Sequence, residues 1–520
     1  MLDSWCSMVA ADSPRVRTRQ AGRDLADIGQ TGRVGSGDGA LYSTSARRAP
    51  VYIGKIRLDV PVVLSPMAGV TNAPFRQLCR ECAQQGLADA GFGGGGDVVA
   101  ADQPSSDAGC AAASRAGRDG GALGAGDGVR SGGASANTAC VTRAYAGSAP
   151  ADAHPGTDLA RTHAGIHASA GLFVCEMITT RALVEGKPAT MQMVQPDLGD
   201  PVRSVQLYGV QPAVTAAAVR RLIELGLADH IDLNFGCPVP KVTRKGGGSA
   251  LPWKTDLFRE IVSAAVRAAE EASEDAGRTS AVPVTAKLRI GIDAEHQTFR
   301  EAAAIAVESG IAALTLHART LEEHYSGHAH WEQVAELVQL VDGAVPVFGN
   351  GDVFEVDDAE RLMSMSGCDG VAIGRGAQGR PWIFYDMAAA ACGSPMRAQP
   401  SLERVAEVLM RHAELMVEHW GDEFKAVRDM RKHIGWYLRG FSVGGDLRSQ
   451  LAVVTSLGQL RQLLDMLDLS QPYPAAASGA RGRAGGAKRA HVPEHWLDSR
   501  ELSSSERAMI SHAEIGVSGG

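Results

Sequence analysis

The stretch SVQLYGVQPAVTAAAVRRLIELGLADHIDLNFGCP, residues 204–238, contains one strand–helix–strand unit of a 520-residue chain. Its first and last segments, SVQLYG and HIDLNFGCP, are short apolar runs that end in turn-forming residues, a pattern typical of β-strands. Between them, residues 214–225 have the longer periodic pattern of a helix. A strand, a helix and a second strand in this order predict two parallel strands joined by a right-handed crossover.

The same alternation continues on both sides of this unit. Six further strand-like runs are PVVLSPMAG near residue 63, GLFVCEM near 174, VPVTAKLRIG near 285, ALTLHART near 315, VPVFGNGDV near 347 and GVAIGRG near 372. Together, the eight runs and the helical segments between them predict an α/β fold, a closed (β/α)8 TIM barrel over residues 49–395. A doubly wound open sheet is the alternative.

After about residue 396 the pattern becomes purely helical. Three stretches have the spacing of amphipathic helices, namely LERVAEVLMRHAELMVEHW, EFKAVRDMRKHIGWYLRG and SQLAVVTSLGQLRQLLDML. We therefore expect a second, small all-α helical bundle over residues 396–470.

Three segments have compositions unlike that of a packed core. Residues 1–48 are polar and rich in Gly and Arg, residues 84–170 consist mainly of Gly, Ala, Ser and Asp, and residues 471–520 are rich in Gly, Ala and Pro. Such segments bury too little apolar surface to offset their ordering entropy, so disorder is predicted. The middle segment is interpreted as an insertion after the first barrel helix, which leads away from the mouth. We expect its deletion to leave activity intact.

The overall composition is ordinary, with 45% hydrophobic and 21% charged residues. A net charge of -8 argues against a general polyanion binder, so any nucleic-acid contact requires a local basic patch. We expect no membrane span and no secretory signal. Nine scattered cysteines indicate reduced thiols and a cytoplasmic location. The CxxC pair Cys79 and Cys82 lacks further ligands, so no metal site is predicted.

Unusual polar or glycine residues fall at or near the ends of the predicted strands. They are Met67, Glu176, Gln206, Asn234, Cys237, Lys287, Arg289, His317, Asn350, Asp352, Gly374 and Arg375. Barrel enzymes build their active sites at the carboxyl ends of the strands. This concentration therefore indicates an enzyme.

The last two strand ends predict a phosphate site. FGNGDV and IGRGAQGRPW are glycine-rich turns that lead into helices, where backbone N–H groups can bind an anion and Arg375 can add a bidentate contact. Two simple tight turns are the alternative. Lys287 and Arg289 are two residues apart, so both point into the barrel, where Lys287 needs an anionic or electron-rich partner. His317 could share that partner, and Gln206 suits the edge of a heterocycle.

Cys237 stands at a strand end, just before a loop that is both basic and glycine-rich. A thiol at a barrel mouth can act as a nucleophile or as a general acid or base. Lys241, Arg244 and Lys245 bring positive charge to the loop, which fits a polyanionic substrate. A solvated loop without function is the alternative.

Seven ordered motifs resemble those of the tRNA-dihydrouridine synthases. They are SPMAGVTNAPFR, QLYG, DLNFGCPVPKV, VTAKLRIG, LHART with YSGHAHW, VFGNGDV and IGRGAQGRPWIF. RKHIGWYL favours the bacterial B-type branch, and the resemblance covers residues 51–85 and 171–467. Two departures are Ala318, where the family usually has Gly, and Cys175, where Ser is common.

The resemblance implies an FMN barrel followed by a helical tRNA-binding domain. Reduced FMN would give a hydride to C6 of a uridine in the tRNA D-loop, Cys237 would protonate C5, and NADPH or NADH would reduce the flavin. The implied FMN-binding residues are Pro66, Met67, Ala68, Gln206, Lys287, His317, Asn350, Gly351, Asp352, Gly374 and Arg375. Asn234 and Arg289 would contact the uracil.

The predicted partner is tRNA. Lys425, Arg428 and Lys432 recur on one face of a predicted helix, and with the resemblance this face is a candidate tRNA surface. We expect a monomer. Two other functions stay open, an FMN-dependent reductase of free pyrimidines and a tRNA-binding factor without catalysis.

Overall fold

The computed structural model describes residues 48–92, 166–195, 199–482 and 485–513. Most of the predicted extension of residues 1–48 and of the predicted insertion lies outside the described residues. The described strands are β1 (Val51–Ile53), β2 (Ile56–Leu58), β3 (Val62–Leu64), β4 (His167–Ala168), β5 (Leu172–Thr179), β6 (Ser204–Tyr208), β7 (His230–Phe235), β8 (Val284–Arg289), β9 (Leu314–His317), β10 (Val347–Asn350) and β11 (Gly370–Ile373).

The helices of the barrel region follow the strands in alternation. They are α1 (Ala73–Asp89), α2 (Thr180–Val184), α3 (Pro188–Met193), α4 (Pro212–Glu224), α5 (Pro240–Thr243), α6 (Thr255–Asp275), α7 (Phe299–Glu308), α8 (Trp331–Val341), α9 (Val356–Ser366) and α10 (Ile383–Ala391). The first helix begins at Ala73, because the Asn72 side chain accepts a hydrogen bond from the N–H of Phe75 and Pro74 occupies the first turn.

Eight parallel strands form a closed barrel, β3 and β5 to β11 in chain order, which confirms the predicted TIM barrel. β1, β2 and β4 form a separate three-stranded sheet. The register of the barrel strands places polar residues side by side, because Asn234 is the partner of Lys287 and His317 is the partner of Asn350. The barrel therefore aligns residues that are far apart in the sequence.

The carboxyl-terminal region is helical, as predicted. Its helices are α11 (Leu402–Trp420), α12 (Glu423–Tyr437), α13 (Gly445–Leu451) and α14 (Leu457–Asp465). They share an apolar core that includes Leu409, Val427, Met430 and Leu460. This bundle packs on the barrel through rings, since Phe75 of α1 lies 5.5 Å from the His412 ring and 5.9 Å from the His433 ring, measured between centroids.

Two predicted boundaries of the insertion are wrong. α1 continues to Asp89, beyond the expected start of the insertion at residue 84, because Gln85 donates a hydrogen bond to Asp89 at 2.7 Å and the Tyr385 hydroxyl donates to the same carboxylate at 3.0 Å. At the other end, β4 pairs with β2 before residue 170. Both ends of the segment are thus held by contacts that composition does not reveal.

The expectation of a disordered tail over residues 471–520 is also wrong for its described part. The tail contains a last helix, α15 (Ser504–Ala513), and the fully buried side chain of Trp496. Lys254, which is itself buried, donates hydrogen bonds to the carbonyls of Ser499 and Glu501 at 2.9 and 3.2 Å. Specific contacts with the barrel therefore order a segment whose composition predicts disorder. No helix among the described residues is both long and apolar enough to cross a membrane.

Candidate active site

A cavity of about 1020 Å³ opens at the carboxyl ends of the barrel strands. The residues predicted for the site that line it are Pro66, Met67, Ala68, Gln206, Asn234, Cys237, Lys287, His317, Asn350, Gly351, Asp352, Gly374, Arg375 and Lys432. They come from seven of the eight barrel strands or the turns after them, and from one helix of the bundle. The structure thus brings together most of the residues that the sequence predicts at strand ends. Glu176 and Arg289 do not line the cavity, and the Glu176 carboxylate instead accepts a hydrogen bond from the backbone N–H of Gly69 at 2.6 Å.

Asn234 holds the turn that carries Cys237. Its side-chain oxygen accepts hydrogen bonds from the backbone N–H groups of Gly236 and Cys237, at 3.0 and 2.9 Å. Its amide nitrogen donates to the side-chain oxygen of Gln206 at 2.9 Å, and Gln206 in turn donates to Asp232 at 2.7 Å. This chain of hydrogen bonds, which ends at the buried pair of Gln206 and Asp232, ties the turn to the interior of the barrel.

The Cys237 side chain lies on the cavity wall and is 8% exposed. Burial raises the pKa of its thiol above the ordinary value, while a backbone hydrogen bond at Val239 and the charges of Arg289 and Lys241 act in the opposite direction. The thiol is therefore protonated at neutral pH. Its surroundings also contain positive charge that stabilises a transient thiolate.

The Asn350 amide fixes the protonation of His317. Its nitrogen donates to the Ala372 carbonyl at 2.5 Å, so its oxygen faces Lys287 and His317. That oxygen accepts from Lys287 Nζ at 3.0 Å and from His317 Nδ1 at 2.8 Å. The proton of the imidazole is consequently on Nδ1. The other ring nitrogen, Nε2, is a buried acceptor that has no hydrogen-bond partner among the described residues.

Burial also shifts the titration of the two basic groups beside Asn350. It lowers the pKa of Lys287 to about 7, with a further lowering by the charge of Arg289 and a raising by Asp232. It lowers the pKa of His317 well below its ordinary value, and Arg289 and Lys287 add to this effect. The site therefore holds a neutral imidazole and an amine with a lowered pKa. A negatively charged ligand beside this amine would favour its protonated form.

Asp352, which also lines the cavity, organises two arginines. Its carboxylate accepts from Arg319 at 2.6 Å, from Arg375 at 3.0 Å and from the backbone N–H of Ala329 at 2.8 Å. The Arg375 guanidinium also lies 4.6 Å from the centre of the Tyr325 ring. One carboxylate between two guanidinium groups leaves a net positive charge, which suits an anion.

The turn at Gly351 requires glycine. Its φ is +130°, and a Cβ atom at this position would lie 2.8 Å from the Cβ of Ala329. The Trp331 indole N–H donates to the Gly351 carbonyl at 2.9 Å. The backbone of the predicted phosphate turn is therefore held in a conformation that few other residues adopt.

Unlike Lys287 and His317, Arg289 does not line the cavity. Its guanidinium is 3% exposed and donates to the backbone carbonyls of Gly236, Thr320 and His324, at 2.8, 2.7 and 3.1 Å. Arg289 thus joins the turn of Cys237 to the loop after β9. Contact with a uracil stays a prediction.

The three basic residues of α12 do not all reach the cavity. Lys432 lines it and pairs with Asp429, whereas Lys425 and Arg428 are exposed further along the helix. Lys425 Nζ lies 3.8 Å from the centre of the Trp420 ring. Lys432 is therefore the member of this face that is closest to the chemistry.

Several cavity residues were not predicted. Tyr325, Gln378, Trp436, Arg448, Arg481 and Gly482 also line it. Tyr325 belongs to the YSGHAHW motif, so a signal for it was present. Arg481 lies in the tail, where composition argued against structure, and no sequence signal could have placed it at the site.

A cavity that holds a thiol, an amine and an imidazole at the carboxyl mouth of a closed (β/α)8 barrel defines the active site of a barrel enzyme. Comparison with known proteins identifies the family to which the chain belongs. Residues 63–471 match the family model of dihydrouridine synthase. The chain therefore belongs to the dihydrouridine synthase family, which confirms the resemblance seen in its motifs.

Three relatives show how far the similarity extends. The chain is 43% identical over 445 residues to a "Probable tRNA-dihydrouridine synthase" of Mycobacterium tuberculosis, covering 86% of this chain and 92% of the relative. It is 49% identical over 348 residues to the protein of the same name from Mycobacterium leprae, covering 67% and 88%. A "tRNA-dihydrouridine synthase B" of Pseudomonas aeruginosa is 38% identical over 283 residues, covering 54% and 80%.

Proposed function

We propose that this enzyme reduces the C5–C6 double bond of uridines in the D-loop of tRNA, with bound FMN and with NADPH or NADH as reductant. It would act as a monomer in the cytoplasm, where tRNA is found. The observation that carries the proposal is the position of the Cys237 thiol on the wall of the cavity that also holds Lys287 and His317. Family membership and the names of the relatives support the reaction and the substrate.

The residues present fit FMN. The unpartnered Nε2 of His317 and the Nζ of Lys287 offer an acceptor and a donor to a polar ligand, and Gln206 adds an amide. Pro66, Met67 and Ala68 line the cavity with backbone groups and a thioether. We propose that these residues hold the ring system. The cavity thus combines polar groups suited to a heterocycle with the basic group Arg375, which suits a phosphate.

The phosphate would lie at the turns after β10 and β11. Asn350, Gly351, Asp352, Gly374 and Arg375 surround that end of the cavity. A carboxylate beside a phosphate would be unfavourable alone, but both oxygens of Asp352 already accept from arginines. Its function there is to orient Arg375.

Cys237 would complete the reaction as the general acid. FMN held by the residues named above, with NADPH or NADH as its reductant, would provide the hydride for C6 of the uracil. The Cys237 thiol donates its proton to C5, so a hydride and a proton together saturate the double bond. Burial keeps the proton on sulfur until then, and the charges of Arg289 and Lys241 stabilise the thiolate that remains. Solvent returns the proton afterwards.

The depth of the thiol sets a requirement on the substrate. Cys237 is 8% exposed, so a uridine must leave the RNA stack to reach it. Asn234 lines the same part of the cavity and is the candidate for uracil contact, with Arg289 supporting the turn beside it. Lys432, at the cavity rim, would contact the RNA backbone, with Lys425 and Arg428 further out.

The test is mass spectrometry of tRNA nucleosides from cells that lack the protein. The proposal predicts that dihydrouridine disappears from a mapped D-loop position and returns when the wild-type chain is expressed. Unchanged dihydrouridine in every tRNA would contradict it. Turnover of free uracil by the purified enzyme without RNA would instead favour a reductase of free pyrimidines.

A further inference from the structure

The carboxyl-terminal tail returns from the helical bundle to the carboxyl face of the barrel. Arg481 donates to the Trp436 carbonyl at 2.8 Å. Further along, the backbone N–H of Lys488 donates to the Glu322 carbonyl at 2.8 Å, in the loop after β9. Thr243, the last residue of α5 between β7 and α6, then donates to the carbonyl of His491 at 2.5 Å. The tail thus contacts the loops that surround the cavity before it reaches α6.

Trp496 anchors this tail beside the Cys237 loop. Its side chain is fully buried, and its indole N–H donates to the Ala250 carbonyl at 2.9 Å. The ring packs directly on Gly246, where a Cβ atom would lie 2.5 Å from it. Lys254 holds the following residues through the carbonyls of Ser499 and Glu501. The indole is therefore fixed against residues 246–250.

The same loop residues hold Cys237. The backbone N–H and the hydroxyl of Ser249 both donate to the Cys237 carbonyl, each at 3.1 Å. Gly248 has a φ of +57° and lies so close that a Cβ atom would be 2.5 Å from that carbonyl. Three consecutive glycines, residues 246–248, place few limits of their own on the backbone. Contacts from outside the loop must therefore restrict it.

We propose that Trp496 is a positioning residue for Cys237, through which the tail holds the loop of residues 246–250 and with it the proton-donating thiol. This inference rests on the proposed function, since it assigns a purpose to the position of the thiol. The tail from residue 472 onward lies beyond the match to the family model, which ends at residue 471. Displacing a reacting group by about 1 Å can cost about 100-fold in rate, so release of the loop should have a large effect.

The test compares Trp496→Ala and Trp496→Phe with the wild-type FMN-loaded enzyme. Phe keeps a ring against Gly246 but cannot donate to the Ala250 carbonyl. Leu337→Ala, a fully buried change in α8, is the control for lost stability. Three quantities are measured for each: the alkylation rate of Cys237 by iodoacetamide, followed in its own peptide by mass spectrometry, the single-turnover rate of dihydrouridine formation, and the flavin content.

We expect Trp496→Ala to raise the alkylation rate of Cys237 at least about fivefold and to lower the single-turnover rate about 10- to 100-fold. Flavin content should stay at the wild-type level. Trp496→Phe should lie between Trp496→Ala and wild type in both rates. Leu337→Ala should lower the melting temperature and leave the reactivity of Cys237 unchanged.

An alkylation rate in Trp496→Ala equal to that of Leu337→Ala would overturn the inference, whatever happens to turnover, because the effect would then be one of stability. If Trp496→Ala does not fold, the alkylation rate of Trp496→Phe is compared with that of Leu337→Ala instead, and equal rates would again overturn the inference. Alkylation requires no RNA and no reductant. A wild-type enzyme without activity on tRNA would therefore contradict the proposed function, while the alkylation rates would still decide whether Trp496 positions the thiol.

Discussion

The side-chain oxygen of Asn350 accepts a hydrogen bond from Lys287 Nζ at 3.0 Å. The same oxygen also accepts from His317, so one acceptor binds two basic groups. Three strands thereby contribute to one hydrogen-bonded group at the centre of the cavity. The arrangement leaves the imidazole neutral and the amine close to its titration point at neutral pH.

The affinity for FMN should depend on pH through Lys287. Burial lowers the pKa of this amine to about 7 in the ligand-free protein, so it is charged below pH 7 and neutral above. A ligand that prefers the ammonium must recruit a proton above pH 7, which weakens binding as the pH rises. We expect the Kd of FMN to increase roughly tenfold between pH 7 and pH 8.5, measured by flavin fluorescence quenching.

Two variants separate the pH dependence of FMN binding from a general loss of affinity. Lys287→Met should weaken binding at pH 7 and remove the pH dependence. Arg375→Ala should weaken binding about tenfold, as expected for a lost charged hydrogen bond, and keep the dependence. An unchanged pH dependence in Lys287→Met would rule out Lys287 as its origin.

Cys237→Ala should abolish most of the activity without loss of flavin. Removal of a general acid typically lowers the rate about 100- to 10,000-fold. The rate is measured as dihydrouridine formed per enzyme under single-turnover conditions, and flavin is measured by absorbance. Cys175→Ser is the matched control, since this thiol is also buried but does not line the cavity. It should stay within about twofold of wild type, and a similar loss in both variants would argue against a specific function of Cys237.

Lys432 should matter more for tRNA binding than Lys425 does. Lys432 lines the cavity, whereas Lys425 is exposed and lies over Trp420. In filter binding, Lys432→Glu should raise the Kd for tRNA about tenfold and Lys425→Glu about threefold, with flavin content intact in both. Both effects should shrink at high salt.

A charge change elsewhere provides the control for that experiment. Lys55 is exposed next to the amino end of β8, where Gly54 packs near Pro283, and it lies at the opposite end of the barrel from the cavity. Lys55→Glu alters the net charge equally and should leave tRNA affinity unchanged. Equal weakening by Lys55→Glu and Lys432→Glu would mean that overall charge, not a surface at the mouth, governs binding.

Acid should destabilise the fold through its buried histidines. Burial lowers the pKa of His230 and of His412 to about 3 each. In the unfolded chain both titrate near 6.5, so the unfolded state takes up protons first as the pH falls. Their contribution to stability is complete above pH 6.5 and is lost progressively down to about pH 3, at roughly 1 kcal/mol per pH unit for each group.

Urea denaturation at pH 7 and pH 5 measures this loss as a lower midpoint at pH 5. His412→Gln removes one titrating group between Phe75 and Tyr437 and should reduce the difference between the two midpoints. If the variant shows the full wild-type difference, His412 does not carry the effect.

The barrel and most of its cavity could be predicted because their signals are local. Each strand end carries its own polar residue, and the closed barrel then brings Gln206, Lys287 and Asn350 to the same place. The docking of the tail could not be predicted, because Trp496 bonds to a carbonyl 246 residues away and the tail segment that precedes it, residues 475–490, is rich in Gly and Ala. The contacts of Arg289 with backbone carbonyls are equally invisible in the sequence, since they depend on how two loops approach each other.

The most direct test of the account is the nucleoside composition of tRNA from a deletion strain that expresses either the wild-type chain or Cys237→Ala at equal levels. Mass spectrometry should find dihydrouridine restored at the mapped D-loop position by the wild-type chain and nearly absent with the variant. Full restoration by Cys237→Ala would contradict the claim that this thiol supplies the proton.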